Sequence, residues 1–342
     1  MFYANEGKIT ALRMSKGKNF HIRENFTLFT YSRDALTSIL TFLEIDEKNE
    51  VILPDFLCST VIEAVTSFST KIKFYKINEQ LLFNSSEIKK IVTDDTKIIL
   101  FVDYFGVQAE IEKNLEDFLV SRKIIILKDA AHSFLSQIEQ KFEKKYHYDF
   151  LITSIYKNIP IQVGALAVGE LEQQKDFISG IVFGRRILIL AIKNILCLLG
   201  LAYFVNVNAD KIKISARSFK NRRPLFNISQ LFRAILTNID FKKVIEHRKN
   251  TTHLFHDFFR QNKDITIVYN QERIGKDILQ VYPILVEDKN YRDFILKTLR
   301  YQNIDAFTWP VFHKLNYDER LWSKLLLIPL DPSVVKVLNK KI

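Results

Sequence analysis

Two short apolar runs, close together in the chain, each stop abruptly at groups able to do chemistry. Ile124-Ile125-Ile126-Leu127 leads through Lys128 into Asp129-Ala130-Ala131-His132-Ser133. Asp149-Phe150-Leu151-Ile152 leads through Thr153 into Ser154-Ile155-Tyr156-Lys157-Asn158. Apolar runs this short, bounded by polar groups, have the length of buried strands. One ends in an acid and an imidazole, the other in a hydroxyl and an amine. In an open α/β sheet that is where a ligand sits, beyond the carboxyl ends of the strands.

The flanking sequence supplies the layers such a sheet needs. The spacing predicts a helix from Ser32 through Leu43, a strand at Glu50-Val51-Ile52-Leu53 stopped by Pro54, and a helix over Cys58–Ser67. A strand over Lys71–Tyr75, a helix over Ser85–Ile91, a buried strand over Lys97–Val102 and a helix over Ala109–Ser121 follow. Alternation of this kind implies a largely parallel sheet flanked by helices, with Asp103-Tyr104, Asp129 and Lys157 at one rim. Further on, a helical segment over Ile228–Phe259 leads to a final lobe with strands near Ile265–Val268 and Leu279–Leu285 and a helix at Tyr291–Tyr301. The expected division is a large domain over 1–215 and a smaller α+β domain over 216–342.

Between these parts, Phe177–Val207 is dominated by apolar residues, and Ile187–Phe204 has only Lys193 and Asn194 as strongly polar members. Eighteen such residues reach the minimum for a membrane-spanning segment. With Lys193 in its middle and Arg185-Arg186 before it, buried packing, a subunit contact or a peripheral membrane contact through 177–204 are the other readings. Asn206–Arg223 is polar and basic and reads as a connector.

Composition narrows the classes. With 342 residues and 47% hydrophobic, the chain can bury substantial cores. Cys58 and Cys197 form neither a disulfide framework nor a metal-ligand spacing, which suits a reducing cytoplasm. The opening Met1-Phe2-Tyr3-Ala4-Asn5-Glu6 lacks a basic n-region and an apolar h-region, so export is not expected. A net charge of +11 suits a phosphate-bearing substrate or an anionic surface; without a zinc-finger, RNP-type or repeat signature, nucleic acid is not expected as a partner.

A carboxylate that keeps a pyridine nitrogen protonated and a lysine that can form a Schiff base are what pyridoxal 5′-phosphate (PLP) requires of a protein. Asp129 and Lys157 offer that pair. The alternatives are an Asp capping its turn and a surface lysine at a strand end. Ser32-Arg33-Asp34-Ala35, at a predicted helix N-terminus, would present backbone N–H groups to a phosphate, and Ser154 would add a hydroxyl. Asp34, repelled by a phosphate, would turn away or cap the helix.

Taken in order, Tyr31-Ser32-Arg33-Asp34-Ala35-Leu36, Glu50-Val51-Ile52-Leu53-Pro54, Tyr104-Phe105-Gly106, Asp129-Ala130-Ala131-His132, Ser154 to Lys157-Asn158 and Gly164-Ala165-Leu166-Ala167-Val168 resemble the DegT/DnrJ/EryC1/StrS family of PLP-dependent sugar aminotransferases. Trp309-Pro310-Val311-Phe312-His313 and Leu327-Ile328-Pro329-Leu330-Asp331-Pro332 are similar to that family's closing segments. The resemblance implies a fold type I architecture, a seven-stranded sheet, an obligate homodimer and transfer of an amino group from an amino acid such as glutamate to a keto sugar on a nucleotide, for surface polysaccharide or amino-sugar biosynthesis. It makes Lys157, Asp129 and His132 catalytic. It places Ser32, Arg33, Asp34, Phe56, Ser154 and, across the dimer, Asn227 around the cofactor. His132 would lie near the cofactor's phenolic oxygen; a core histidine is its plainer reading.

Three features depart from the family. Ser154 and Lys157 are closer than is common, the turn after the lysine reads Asn158-Ile159-Pro160-Ile161-Gln162-Val163-Gly164, and Phe56-Leu57-Cys58 occupies the place of the ring-stacking aromatic. Either Phe56 stacks from a shifted register or Leu57 packs there. The Asn-x-Arg-Met-Ser element is reduced to Phe226-Asn227-Ile228-Ser229. A PLP enzyme with a different, membrane-proximal acceptor, and a non-catalytic partner of an active homologue, are the rival readings.

Overall fold

The computed structural model describes residues 26–143, 146–159, 161–171, 175–198, 226–302, 304–310 and 319–340. A seven-stranded sheet is built from β1 (Phe26–Phe29), β2 (Glu50–Pro54), β3 (Ile72–Tyr75), β4 (Thr96–Val102), β5 (Ile125–Asp129), β6 (Phe150–Ser154) and β7 (Ala165–Val168), in the order β1-β7-β6-β5-β4-β2-β3. The pairs β3–β2–β4–β5–β6 are parallel, and β7 runs antiparallel to both β6 and β1. Ala165 is the partner of both Phe29 and Ser154, so β1 and β6 end at the same edge.

Helices α1 (Ser32–Phe42), α2 (Ser59–Thr66), α3 (Ser85–Ile91), α4 (Lys113–Ser121) and α5 (Phe134–Glu139) connect these strands. The pleat sends alternate strand residues to opposite faces. Val51, Leu53, Leu100, Val102, Leu127 and Ile152 join one apolar core. Ile52, Ile99, Phe101, Ile126, Leu151 and Leu166 join the other. In α1 the stripe Ala35, Leu36, Ile39 and Leu40 lies against the first of these cores, and Asn84 caps α3 by accepting from Ser86 N and Glu87 N.

The later chain forms α6 (Gly180–Leu198), α7 (Ser229–Thr237), α8 (Phe241–Phe259), α9 (Gln271–Lys276), α10 (Lys289–Tyr301), α11 (Glu319–Lys324) and α12 (Ser333–Leu338). It also forms a second antiparallel sheet of β8 (Ile265–Ile267), β9 (Val281–Val286) and β10 (Leu325–Pro329), ordered β10-β9-β8. The first core runs on without a break into this small sheet. Phe232, Leu236, Phe241 and Ile245 join the second core, so α7 and the first turns of α8 pack with the large sheet. The expected boundary at 215/216 lies outside the described residues.

Several elements differ from the expected ones, each for a local reason. The single helix expected over Ile228–Phe259 is two, because the Asp240 side chain accepts from Lys243 N and starts a new helix. The helix expected from Ala109 begins at Lys113; Ala109 N donates to Asp103 Oδ1 and Glu112 is extended. β1 and β10 carry no strong alternation of their own and are strands because β7 and β9 pair with them.

Candidate active site

The two chemistry-bearing runs are neighbouring strands. Asp129 ends β5 opposite Ile152 of β6, and Ser154 ends β6 three residues before Lys157. Ala130 N donates to Ile152 O, while Asn158 Nδ2 donates to Ala131 O and to Ser154 O, which ties the two strand ends together. His132 Nε2 then lies 3.3 Å from Lys157 Nζ. The Phe105 N–H is directed at His132 Nδ1 at 3.4 Å. Full burial, and after it the charge of Lys157, push the His132 imidazole well below its ordinary value, so the ring is neutral at physiological pH.

Asp129 is buried, and its Oδ1 accepts from Ala131 N at 2.9 Å. Among the described residues no hydrogen bond reaches Oδ2. Burial pushes this carboxyl up, while Lys157 and the Ala131 N–H pull it down. A buried carboxylate with an oxygen to spare fits a partner carrying an N–H and positive charge, as a protonated pyridine ring does.

The phosphate end is built from α1. Its first turn presents backbone N–H groups at the edge where β1 and β6 end. Asp34 Oδ2 accepts from Tyr31 N at 3.0 Å, so the carboxylate is turned back as a cap. Ser32 Oγ and Ser154 Oγ are both buried and have no hydrogen-bond partner among the described residues. Two orphaned hydroxyls beside a helix N-terminus are costly unless an acceptor-rich group binds there, and a phosphate is such a group. The residues present therefore fit PLP.

Four aromatic rings and His132 line this rim. His132 lies parallel to Phe105 (11°, centroids 5.4 Å), and Trp309 stands edge-on to His132, Phe105 and Phe56. Tyr104 Oη donates to Phe56 O. Phe56 is thus a buried member of the cluster, two rings away from His132, with Trp309 between them. Gly106 closes the turn at φ +111°, and a Cβ there would come within 2.2 Å of Ile278 O, so only glycine allows the loop before β9 to approach. Through that approach Gln280 N donates to Phe105 O and Gln280 Nε2 donates to Lys157 O. Arg248 from α8 donates to Gln280 O and Asn158 O.

Asn227 and Asp103 are engaged within the chain. Asn227 has its amide engaged within the chain, accepting from Ile178 N and Ser229 N and donating to Asp176 O. Asp103, placed by its strand end at the same rim, is fully buried, with Oδ1 accepting from Ala109 N and Oδ2 facing Lys128 at 3.4 Å and accepting from Ser133 Oγ. Around the quoted motifs, Arg186 joins from a distant part of the sequence. Tyr31 and Tyr156 meet edge-to-face at 5.8 Å, with the Arg186 guanidinium over both rings and that of Arg33 over Tyr31. Burial pushes the Tyr31 phenol up against the pull of the Arg186 charge. Gln280, Arg248 and Arg186 are far from Lys157 in sequence, and no local pattern marks them.

Residues 19–163 match the model of the DegT/DnrJ/EryC1/StrS aminotransferase family. This part of the chain is similar to that family. Its proteins are PLP-dependent aminotransferases. The fold is also that of solved structures over nearly the whole chain. One is NtdA from Bacillus subtilis with bound cofactor PMP (15% identity, 93% of this chain and 72% of that one, TM-score 0.62). Another is Helicobacter pylori PseC, an aminotransferase involved in the biosynthesis of pseudoaminic acid (16%, 92% and 86%, 0.61). A third is 3-amino-5-hydroxybenzoic acid synthase (14%, 92% and 85%, 0.61). At these identities the likeness is one of fold, the fold type I architecture of PLP aminotransferases. No curated protein sequence matches the chain.

Proposed function

We propose that the protein moves an amino group from an amino acid, glutamate by preference, to the ketone carbon of a hexose carried on a nucleotide, as a cytoplasmic homodimer in amino-sugar or surface-polysaccharide synthesis. The observation that carries this reading is the Lys157–His132–Asp129 constellation on adjacent strand ends, next to two orphaned serine hydroxyls at a helix N-terminus. PLP, when bound, supplies a carbonyl that condenses with amines and a ring that accepts the electron pair left when a carbon loses its proton.

The chain's own residues would do the rest. Lys157 would be the amine that holds the cofactor and the base that takes the α-proton of the donor. Its reach is set by Gln280, which binds its carbonyl, and by Asn158, which fixes the turn around it. Neutral His132 sits within hydrogen-bonding distance of Lys157 Nζ and keeps that nitrogen directed at the cleft. Asp129 would hold a proton on the pyridine nitrogen, which would strengthen the ring as an electron acceptor. Ser32, Ser154 and the α1 N–H groups anchor the phosphate. The Phe105–Trp309–Phe56 cluster packs against His132 and would hold its ring in place beside Lys157.

The chain's charge of +11 is compatible with an acceptor bearing a diphosphate. Incubation with PLP, glutamate and a panel of nucleotide-linked 3-keto and 4-keto hexoses, followed by mass spectrometry, tests this. Conversion of one ketone to an amine with release of 2-oxoglutarate is the expected result. Turnover of glutamate with no nucleotide sugar aminated would move the acceptor to another class.

A further inference from the structure

The turn that carries Lys157 is not held by its own bonds alone. Asn158 N and Ile159 N both donate to Ile155 O, which closes a single helical turn, and Ile161 N then bonds to Ile159 O as the chain leaves it. The last carbonyls of a helical turn have no partner inside it and take their donors from elsewhere. For Lys157 O and Asn158 O the donors stand 123 and 90 residues further along the chain: Gln280 Nε2 at 3.1 Å and Arg248 Nη2 at 3.4 Å.

Arg248 joins these two bonds. Its other terminal nitrogen, Nη1, donates to Gln280 O at 2.8 Å, so one guanidinium holds both the carbonyl of Asn158 and the residue that binds the carbonyl of Lys157. Gln280 is 3% exposed and is fixed again by its N–H on Phe105 O at 2.8 Å. The Phe105 ring in turn lies parallel to that of His132, whose Nε2 is 3.3 Å from Lys157 Nζ. The arrangement therefore reaches the lysine at both ends, its peptide and its amine. A planar fork fixes two carbonyls relative to each other, whereas an ammonium is one point charge on a flexible stem.

We propose that Arg248 is a positioning residue for the Lys157 amine: by joining Gln280 O to Asn158 O it sets where that amine stands, and it ties helix α8 to the reacting group. This rests on Lys157 being the amine that holds PLP. In that condensation the free amine bonds to the cofactor's aldehyde carbon, and the aldehyde oxygen leaves as water with the two amine protons. Between a bound aldehyde and Lys157 the step is intramolecular, so it depends on the placement of the amine. Anchoring of the phosphate at Ser32, Ser154 and the first turn of α1 does not.

Pyridoxamine phosphate separates the two effects, because it carries the ring and the phosphate but no aldehyde and forms no bond to Lys157. The test is titration of the cofactor-free full chain with PLP and with pyridoxamine phosphate, beside a circular-dichroism melt, for wild type, Lys157→Ala, Arg248→Met, Arg248→Lys and Gln280→Met. Arg248→Met should weaken PLP binding by about tenfold or more while binding of pyridoxamine phosphate stays within about twofold. Arg248→Lys should fall with it, since the charge is kept and the fork is lost. Gln280→Met removes the side-chain donor to Lys157 O and keeps the backbone bonds to Phe105 and Arg248; it should show the same selective loss, and it carries the test if the Arg248 variants do not fold. Equal losses for the two ligands in folded variants, or wild-type PLP affinity in them, overturn the inference and leave the assignment of Lys157 standing. Wild type that binds PLP no more tightly than Lys157→Ala removes that assignment, and the inference with it.

Discussion

Replacing Lys128 with methionine should destabilise the protein far more than a surface lysine would, and the structure sets the amount. Lys128 is 1% exposed, and its ammonium sits 3.4 Å from Asp103 Oδ2, 2.8 Å from Gln108 Oε1 and over the rings of Tyr146 and Tyr148. Removing one partner of a buried pair costs about 3–5 kcal/mol, chiefly because the other charge is stranded. Asp103 keeps its bonds from Ala109 N, Ser133 Oγ and Gln137 Nε2, which favours the lower end of that range. With an unfolding entropy of roughly 2.1 cal/mol/K per residue, that is a melting temperature lower by about 4–7 °C. Asp103→Asn in the same background should recover at least about 2 kcal/mol, since no charge is then left unpaired.

The deficit should also depend on pH with a definite sign. Burial already pushes the Asp103 carboxyl up, and loss of Lys128 removes the charge that opposes this. A folded carboxyl above its unfolded value binds more protons in the native state, so stability falls as pH rises through that window. The Lys128→Met deficit must therefore shrink as the pH is lowered toward the ordinary carboxylate range. Thermal melts of wild type and both variants at a series of pH values are the assay. A Lys128→Met protein that melts with wild type, or a deficit that grows on acidification, would refute the reasoning.

Other substitutions separate binding from stability. Ser154→Ala removes an orphaned buried hydroxyl, so the protein without cofactor should melt at or above the wild-type temperature while PLP affinity, measured by titration, falls by roughly tenfold. Asp129→Asn should cut turnover by ~10²-fold or more. Because burial raises the Asp129 carboxyl, its ionisation opposes folding above that window; the Asn variant without cofactor should match or exceed wild-type stability at alkaline pH, as a melt will show. Gly106→Ala places a Cβ 2.2 Å from Ile278 O at a backbone angle that disfavours it, and should cost about 2 kcal/mol or more along with the Gln280 clamp on Lys157, read as a lower melt and weaker PLP binding.

What the sequence reveals of this site is what is encoded locally. Asp129, His132, Ser154 and Lys157 stand out because apolar strands end beside them, and the parallel sheet follows from the alternation of the first half of the chain. The Arg186 contact, the edge-on Trp309 and the Gln280 and Arg248 clamp are not legible, because each depends on a long-range approach that no periodicity records. Gly106 is the nearest thing to a signal, since its requirement for close backbone approach is what admits the loop carrying Gln280. The apolar segment at 177–204 was ambiguous for a physical reason as well. Its hydrophobicity suits lipid, a buried core and a subunit contact equally, and the exposure of Ile181, Leu188 and Ile192 sets aside only the buried core for that face.

The most direct test of the account is the visible absorption spectrum of the purified protein with PLP, before and after glutamate, beside Lys157→Ala. The account predicts a band from lysine-bound PLP that glutamate bleaches, and no such band in the variant. A folded wild-type protein that takes up no PLP, or a variant with an undiminished band, would contradict it.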